Sequence, residues 1–246
     1  MKLHLAIDTA TDRGTVALGE PGRVVAQADL PAGRHAAEVT AAVERVLEQA
    51  SASSPDLAGV VVGDGPGSFT GLRIAFATAL GLIGAHRELV LHTVPSLMGA
   101  AWNGAQSAGR GARGARAILA LFDALRGEVF AALYRFEPDG VQTLLDPTLT
   151  KVESLAELLP VVPDVAAGDG AVLYRRQLER WIGRAVVPLS EAGPSAGALV
   201  ELMAVEGAVT MVTDPASVEP LYGRKAAAQV KWESLHGRPL PDPSGD

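Results

Sequence analysis

The chain has 246 residues, of which 48% are hydrophobic and 20% charged, with a formal net charge of −7 and no cysteine. This aliphatic content excludes a largely disordered chain, and the lack of cysteine excludes disulfide scaffolds, thiolate metal sites and cysteine nucleophiles. The acidic balance makes the chain a poor autonomous binder of nucleic acid, because contacts to phosphates drive such binding.

Short-range patterns in the first hundred residues predict a strand meander followed by alternating helices and strands. A continuous apolar run that ends in glycine is typical of a buried parallel strand. The predicted elements are strands at Lys2–Asp8, Thr15–Gly19 and Val24–Asp29, a helix at His35–Ala50, a strand at Leu57–Gly63, a helix at Leu72–Gly84, a strand at Val90–Val94 and a helix from Ser96 to about Asn103. Ser68 or Thr70 is the expected N-cap of the second helix, and Ser96 that of the third.

Residues 104–116 (GAQSAGRGARGAR) have low complexity and predict a flexible linker. After this segment the pattern of the first half repeats: a strand that ends in aspartate, a turn, two further strands and a Gly-Asp-Gly turn. The predicted second-half elements are strands at Ile118–Asp123, Glu128–Phe136 and Val141–Leu149 and helices at Ala171–Ile182 and Ser195–Glu206.

The repeated pattern indicates an internal duplication, because Asp8 and Asp123 end equivalent strands and two Gly-Asp-Gly turns follow in the same order. We therefore predict an α/β protein of two similar lobes, each with the element order βββαβα. The expected organisation is a first lobe at residues 1–103, the linker at 104–116, a second lobe at 117–232 and a frayed tail at 233–246.

Neither a membrane segment nor a signal peptide is expected, and the protein is predicted to be cytoplasmic. The first residues lead directly into a strand-like segment that contains Asp8. The longest apolar stretch, Ile74–Ala85, is shorter than the ~20 residues that a membrane-spanning helix needs.

Two strand ends could form a nucleotide cleft. Asp8, followed by Thr9, could hold a hydrated Mg²⁺ beside bound phosphates, and Asp123 occupies the equivalent place in the second lobe. The alternative is that each aspartate caps its own turn with its side chain.

The segment 63–71 (GDGPGSFTG) is the most distinctive local motif. Its glycines favour unusual backbone angles, and the following helix offers amides to an anion. It is neither a Walker motif nor a G-x-G-x-x-G motif, and a tight turn without a ligand is the alternative. The residues of the predicted nucleotide cleft are Asp8, Thr9, Asp64, Gly65, Gly67, Ser68, Asp123, Gly168 and Asp169.

A histidine metal site is not expected. The five histidines, at positions 4, 35, 86, 92 and 236, include no pair at the i, i+4 spacing that places two imidazoles on one helix face. We expect His4 to pack within a strand and the other four to lie at the surface.

The run at residues 63–82 (GDGPGSFTGLRIAFATALGL) resembles the signature of the TsaB (YeaZ) family, the bacterial subunits that act in the synthesis of threonylcarbamoyladenosine in tRNA. Four further segments resemble that family in the same order: LAIDTAT at 5–11, VPSL at 94–97, GDGA at 168–171 and PLYGR at 220–224. The resemblance covers nearly the whole chain.

This resemblance implies an actin-like (ribonuclease H-like) fold of two lobes. It also implies a non-catalytic subunit that dimerises with and activates TsaD, which transfers threonylcarbamoyl to N6 of adenosine 37 in tRNAs that read ANN codons. TsaE, an ATPase, would be the third member of the complex, and the chain would form a homodimer when alone. Contact with tRNA would occur only through the complex. No cofactor would be required, although the cleft could bind ATP or ADP with Mg²⁺ weakly.

The resemblance also bears on catalysis. In TsaD the segment V-N-H-x-x-x-H supplies two metal-binding histidines, and the corresponding positions here are Ser96 and Ala100. Neither residue is a usable ligand for a transition metal, so transferase activity is not expected. The alternative function is an autonomous ATPase or phosphotransferase of the actin-like superfamily that uses Asp8, Asp64 and Asp123.

The partner surface is predicted on the two helices of the first lobe. The helix at Leu72–Gly84 is apolar around its circumference, so it is either wholly buried or shared with another protein. Contact between this surface on two copies of the chain would give an isologous homodimer. The predicted interface residues are His35, Val39, Val43, Leu72, Arg73, Phe76 and Leu80.

Overall fold

A computed structural model describes residues 2–108, 116–224, 232 and 235–237. The first half forms a strand meander followed by alternating helices and parallel strands, as predicted. Its elements are β1 (Leu3–Asp8), β2 (Gly14–Glu20), β3 (Arg23–Leu30), α1 (His35–Gln49), β4 (Leu57–Gly63), α2 (Phe69–Ala85), β5 (Val90–Val94) and α3 (Ser96–Ser107).

The second half begins with the same meander and continues with shorter helices. Its elements are β6 (Arg116–Asp123), β7 (Glu128–Glu137), β8 (Gly140–Lys151), α4 (Leu155–Leu158), β9 (Val165–Ala167), α5 (Asp169–Leu173), α6 (Arg175–Ile182), α7 (Leu189–Ala192), α8 (Ala196–Leu202) and β10 (Thr210–Met211). Two short 3₁₀ turns lie at Ser54–Asp56 and Val152–Ser154. The single helix predicted at 171–182 is divided at Tyr174 into α5 and α6.

The two sheets share one strand order. The first sheet contains β3-β2-β1-β4 and continues with β5 and β10, whereas the second contains β8-β7-β6-β9. In each sheet the first three strands are antiparallel and the fourth runs parallel to the first. This repeated topology confirms the predicted α/β fold of two similar lobes.

The duplication is asymmetric in its helices. Helix α1 has 15 residues, whereas α4 in the equivalent place of the second lobe has only 4. Pro160 and Pro163 follow α4, and proline can neither donate the helical hydrogen bond nor avoid a clash with the preceding turn. The second lobe therefore has only one helical turn where the first lobe has a long helix.

Two helices join the lobes by packing on the sheet of the other half. Helix α3 packs against β6, β7 and β9, whereas α8 packs against β1 to β4. One hydrophobic cluster consequently contains buried side chains of both sheets and of both helices. Its members include Val61, Leu97, Phe122 and Leu199. Separate clusters lie under α1 and α2 on the first sheet and under α5 and α6 on the second.

The predicted linker is shorter in the structure. Helix α3 continues through Ser107, and β6 begins at Arg116, so both ends of the segment belong to regular elements. Residues 109–115 lie outside the described residues, as does the predicted tail apart from residues 235–237. Across the described ranges, no helix is both long and apolar enough to cross a bilayer.

Candidate functional site

A cleft of about 450 Å³ lies between the lobes, where strands β1, β4 and β6 end. Segments that follow each of these strands contribute to its walls. The lining residues are Ala10, Thr11, Asp12, Gly67, Ser68, Phe69, Thr70, Phe122, Asp123, Leu125, Phe130, Asp169 and Arg224. The cleft wall therefore carries three carboxylates, of Asp12, Asp123 and Asp169, and one guanidinium, of Arg224.

Four predicted cleft residues, Gly67, Ser68, Asp123 and Asp169, line this cavity. The other five, Asp8, Thr9, Asp64, Gly65 and Gly168, are not among its lining residues. Sequence reasoning missed Asp12 and Phe69 as lining residues. Arg224 was identified only as the last residue of the PLYGR segment. Asp12 lies four positions after the end of β1, and that proximity is the one local signal that could have identified it.

The backbone of the glycine-rich loop passes very close to the backbone of the β1–β2 turn. A Cβ atom at Gly67 would collide with the carbonyl oxygen of Ala10, and one at Gly71 would collide with that of Thr9. The Thr9 hydroxyl donates to the carbonyl oxygen of Gly71 over 2.7 Å. These glycines are thus required because α2 starts directly against the β1–β2 turn.

Several backbone amides of the glycine-rich loop donate hydrogen bonds to other atoms of this chain. The amides of Asp64 and Ser68 donate to the carbonyl oxygens of Val94 and Ala10, over 3.1 and 2.7 Å. The amide of Gly65 donates to Ser96 Oγ over 3.3 Å. Ser68 caps α2 by accepting from the amide of Gly71 over 3.2 Å, so the first of the two predicted N-caps is observed. The amides of Asp64, Gly65, Ser68 and Gly71 are therefore occupied by acceptors of the chain itself.

The two strand-end aspartates both cap their own turns. Asp8 Oδ1 accepts from the amide of Ala10 over 3.0 Å, and Asp123 Oδ1 accepts from the amide of Leu125 over 2.9 Å. This is the alternative to metal binding that the sequence left open. Ser96, predicted as an N-cap, instead donates its hydroxyl to Asp8 Oδ1 over 3.3 Å, while Pro95 occupies the N-cap position of α3.

Two carboxyl groups are buried where β1 and β4 end. Burial raises the pKa of Asp8 to about 6, against hydrogen bonds from Ala10 and Ser96 that lower it. Burial raises the pKa of Asp64 to about 7, and the negative charge of Asp8 adds to this increase. Asp64 keeps part of its surface exposed, but its Oδ1 atom is buried without a hydrogen-bond partner among the described residues, as is Asp8 Oδ2.

These shifts predict that Asp64→Asn stabilises the protein at alkaline pH. A carboxyl whose pKa is raised on folding stabilises the protein fully only below its unfolded pKa, and this stabilisation is lost as the pH rises toward 7. The asparagine side chain has no charge to desolvate. The free energy of unfolding of Asp64→Asn should therefore exceed that of the wild type by about 1–3 kcal/mol at pH 8, an amount discounted for the partial exposure of Asp64.

The measurement is urea denaturation of both proteins at pH 8 and pH 4.5, with the difference between them taken at each pH. The advantage of Asp64→Asn should shrink toward zero at the lower pH, where the folded wild type holds the proton. Titrating histidines contribute equally to both proteins and cancel in the difference. An advantage of equal size at both pH values would contradict the assignment.

The second-lobe site is tied together by Asp169. Its Oδ1 accepts from the amides of Asp123 and Gly170, over 3.2 and 2.8 Å, and burial raises its pKa. Gly168 has a φ of 98°, a left-handed conformation that favours glycine. These contacts hold the β6–β7 turn against the start of α5, and they give Asp169 a structural role at the cleft wall.

His4 lies in β1 as predicted, whereas the placement of His35 differs from the prediction. His35 is buried, not exposed: its Nε2 accepts from the amide of Gly14 over 3.3 Å. His4 and His92 pack edge to face, with ring centroids 5.9 Å apart, and burial lowers the pKa of each. In the part of the chain that the structure describes, no group of three or more His, Asp or Glu side chains is arranged to hold a metal ion.

The predicted interface residues divide by exposure. His35, Val39, Val43, Leu72 and Phe76 are buried within this chain. Val39, Val43 and Phe76 pack on the first sheet, whereas Leu72 belongs to the cluster that the two lobes share. Leu80 is half-buried and Arg73 is exposed. After Arg73, the exposed residues of α2 are all small: Ala77, Gly81, Gly84 and Ala85.

Comparison with known proteins gives the same family along the whole chain. The family model described as "TsaD: tRNA N6-adenosine threonylcarbamoyltransferase" matches residues 29–188. The "tRNA threonylcarbamoyladenosine biosynthesis protein TsaB" of Escherichia coli K12 is 32% identical over 251 residues, covering 95% of this chain and 98% of that protein. The Bacillus subtilis protein of the same description is 27% identical over 233 residues, covering 93% and 96%.

A solved structure agrees with the sequence relatives. An uncharacterized Pseudomonas aeruginosa protein "with similarity to peptidase YEAZ" superimposes with a TM-score of 0.70 at 26% identity, covering 91% of this chain and 100% of that one. The shared two-lobe fold and the end-to-end sequence similarity lead to one conclusion: this chain belongs to the TsaB (YeaZ) family.

Proposed function

We propose that this protein is the non-catalytic subunit that pairs with and activates a TsaD-type threonylcarbamoyltransferase, for modification of N6 of adenosine 37 in tRNAs that read ANN codons. The E. coli and B. subtilis relatives are named as proteins of tRNA threonylcarbamoyladenosine biosynthesis, which supports this role. The match to the TsaD family model supports descent from the same ancestor as the enzyme.

The environments of two side chains support the non-catalytic part of the proposal. At the positions that correspond to the metal-binding histidines of TsaD, Ser96 is buried and engaged with Asp8 and Gly65, and Ala100 is fully buried in the core that joins the lobes. A transition metal would find no imidazole there and no space beside the packed α3. No cofactor is required for this role.

An autonomous ATPase or phosphotransferase is the weaker candidate. Two observations favour the non-catalytic role over it: Asp8 and Asp123 cap their own turns, and four amides of the glycine-rich loop donate to acceptors within the protein. Within the proposed complex, TsaE would supply ATP hydrolysis and the complex as a whole would contact tRNA in the cytoplasm. A purified chain that hydrolyses ATP without its partners would favour the enzyme instead.

The proposed partner surface is the exposed side of α2, continued onto α1. Gly81 and Gly84 have no atom within 4 Å of the position that a Cβ would occupy, so a partner helix can approach their backbone closely. Arg73 lies over the ring of Phe69, with its guanidinium carbon 4.7 Å from the ring centroid, at the start of the same face. This surface fits a heterodimer with TsaD and, when TsaD is absent, a homodimer.

Gly81→Arg should abolish close approach at this surface without harming the fold. We expect its affinity for a purified TsaD-type partner to fall at least about 30-fold, the effect of losing an interface hot spot, and the homodimer to dissociate. Analytical ultracentrifugation of the chain alone and with partner measures both effects. The matched control is Ala156→Arg, which adds the same side chain to an exposed helical position of the second lobe. Equal affinities for the two variants would locate the interface elsewhere.

A further inference from the structure

The segment Pro220–Arg224, here named the strap, crosses from one lobe to the other at the cleft. Its first contacts are with the glycine-rich loop of the first lobe. The amide of Leu221 donates to the carbonyl oxygen of Asp64 over 2.8 Å. A Cβ atom at Gly65, whose φ is 106°, would lie 2.5 Å from the carbonyl oxygen of Leu221. The strap backbone therefore runs directly against this loop.

The middle of the strap fills the space between the lobes. The ring of Tyr222 packs on that of Phe69, at the start of α2, with centroids 4.6 Å apart. Gly223 has a φ of 68°, and a Cβ there would lie 2.6 Å from Phe130 in the second lobe and 2.9 Å from Pro66 in the first. Only glycine fits between these two side chains in this backbone conformation.

The end of the strap holds the second-lobe turn that lines the cleft. Arg224 Nη1 donates to the carbonyl oxygen of Ala124 over 2.6 Å. The next two residues, Leu125 and Arg126, have φ values of 64° and 56°, which are costly for residues with a Cβ. A charged hydrogen bond to the start of this turn therefore stabilises a conformation that the local sequence does not favour.

We infer that the strap is a built-in clasp that keeps the two lobes at one separation without any bound ligand. Helices α3 and α8 join the lobes through their shared core, and the strap adds a second attachment at the ends of the strands, across the cleft. In a hinged two-lobe protein, a ligand closes the cleft by contacting both sides. Here the chain's own backbone and Arg224 make those contacts, so a ligand has little closure left to drive.

Pulsed electron paramagnetic resonance on the full chain tests this inference. Because the protein has no cysteine, Glu48→Cys on α1 and Arg176→Cys on α6 introduce two unique, exposed labelling sites, one on each lobe. Labelled protein is diluted with unlabelled protein, so that only distances within one chain are measured. We expect one narrow distance distribution, unchanged by saturating Mg-ATP or Mg-ADP. A shift of that distribution on nucleotide addition would overturn the inference without the need for any further variant.

Removing the clasp supplies the second test. Arg224→Ala should widen the distance distribution at least twofold and make the amides of Leu125 and Glu128 exchange with solvent about tenfold faster, the effect of losing one charged hydrogen bond. The control is Arg126→Ala, which removes an exposed arginine from the same turn and should change neither quantity. An unchanged width and unchanged exchange in folded Arg224→Ala protein would refute the clasp. Both measurements use the isolated chain, so their outcome does not depend on the proposed partner.

Discussion

Gly71→Ala is expected to lower the free energy of unfolding by about 3 kcal/mol, the upper range for inserting a methyl group into a packed interior. The added Cβ would collide with the carbonyl oxygen of Thr9, and both partners are backbone atoms that cannot rotate away. Thr9 is itself fully buried and donates its hydroxyl to Gly71, which holds the two segments together. The variant must therefore move the start of α2 away from the β1–β2 turn.

Gly81→Ala is the matched control on the same helix. No atom lies within 4 Å of the position that its Cβ would take, so the change should stabilise the protein by about 0.5–1 kcal/mol through helix propensity alone. Urea denaturation followed by circular dichroism measures both variants. If Gly71→Ala unfolded within 0.5 kcal/mol of wild type, the close crossing of the glycine-rich loop would be refuted.

Val39→Glu is expected to unfold most of the protein at neutral pH, with a loss of more than about 4 kcal/mol. Val39 is only 4% exposed and lies between α1 and the first sheet, so a carboxylate there would be buried without a partner. This result would show that Val39 belongs to the core and not to the predicted partner surface.

Thr40→Glu is the control for this second prediction. Thr40 is the next residue of α1 but points into solvent, so the same glutamate should change the free energy of unfolding by less than about 0.5 kcal/mol. Thermal unfolding monitored by circular dichroism compares the two variants. If Val39→Glu unfolded cooperatively with the same midpoint temperature as the wild type, this side of α1 would not belong to the core.

Five of the seven residues predicted at the interface are buried in the core of this chain, for a specific physical reason. Val39 and Val43 recur at helical spacing, and Leu72 and Phe76 do the same on α2. Such spacing identifies the apolar face of a helix, but apolar faces pack equally well on a sheet of the same chain or on another protein. Only the observed packing of α1 and α2 assigns these residues to the core, and it leaves Ala77, Gly81, Gly84 and Ala85 of α2 exposed.

Local chemistry was enough to predict the elements and their repetition. Strands β4 and β5 have the predicted bounds, Ser68 caps α2 as expected, and the strand meander occurs twice, because apolar periodicity, turn residues and caps act within a few positions. The two aspartates at equivalent strand ends indicated the duplication for the same reason. The family followed from contiguous motifs that need no tertiary information to recognise.

Only the tertiary structure decided which groups meet across the cleft. Arg224 bonds the carbonyl of Ala124 one hundred positions earlier, and the loop amides of Asp64 and Ser68 are used by backbone oxygens of other segments. Whether a glycine-rich loop cradles an anion or another part of its own chain depends on what packs against it. The sequence by itself thus determined the family, the lobes and their order, whereas the use of the loop and the closure of the cleft were decided by packing between distant segments, which local periodicity does not encode.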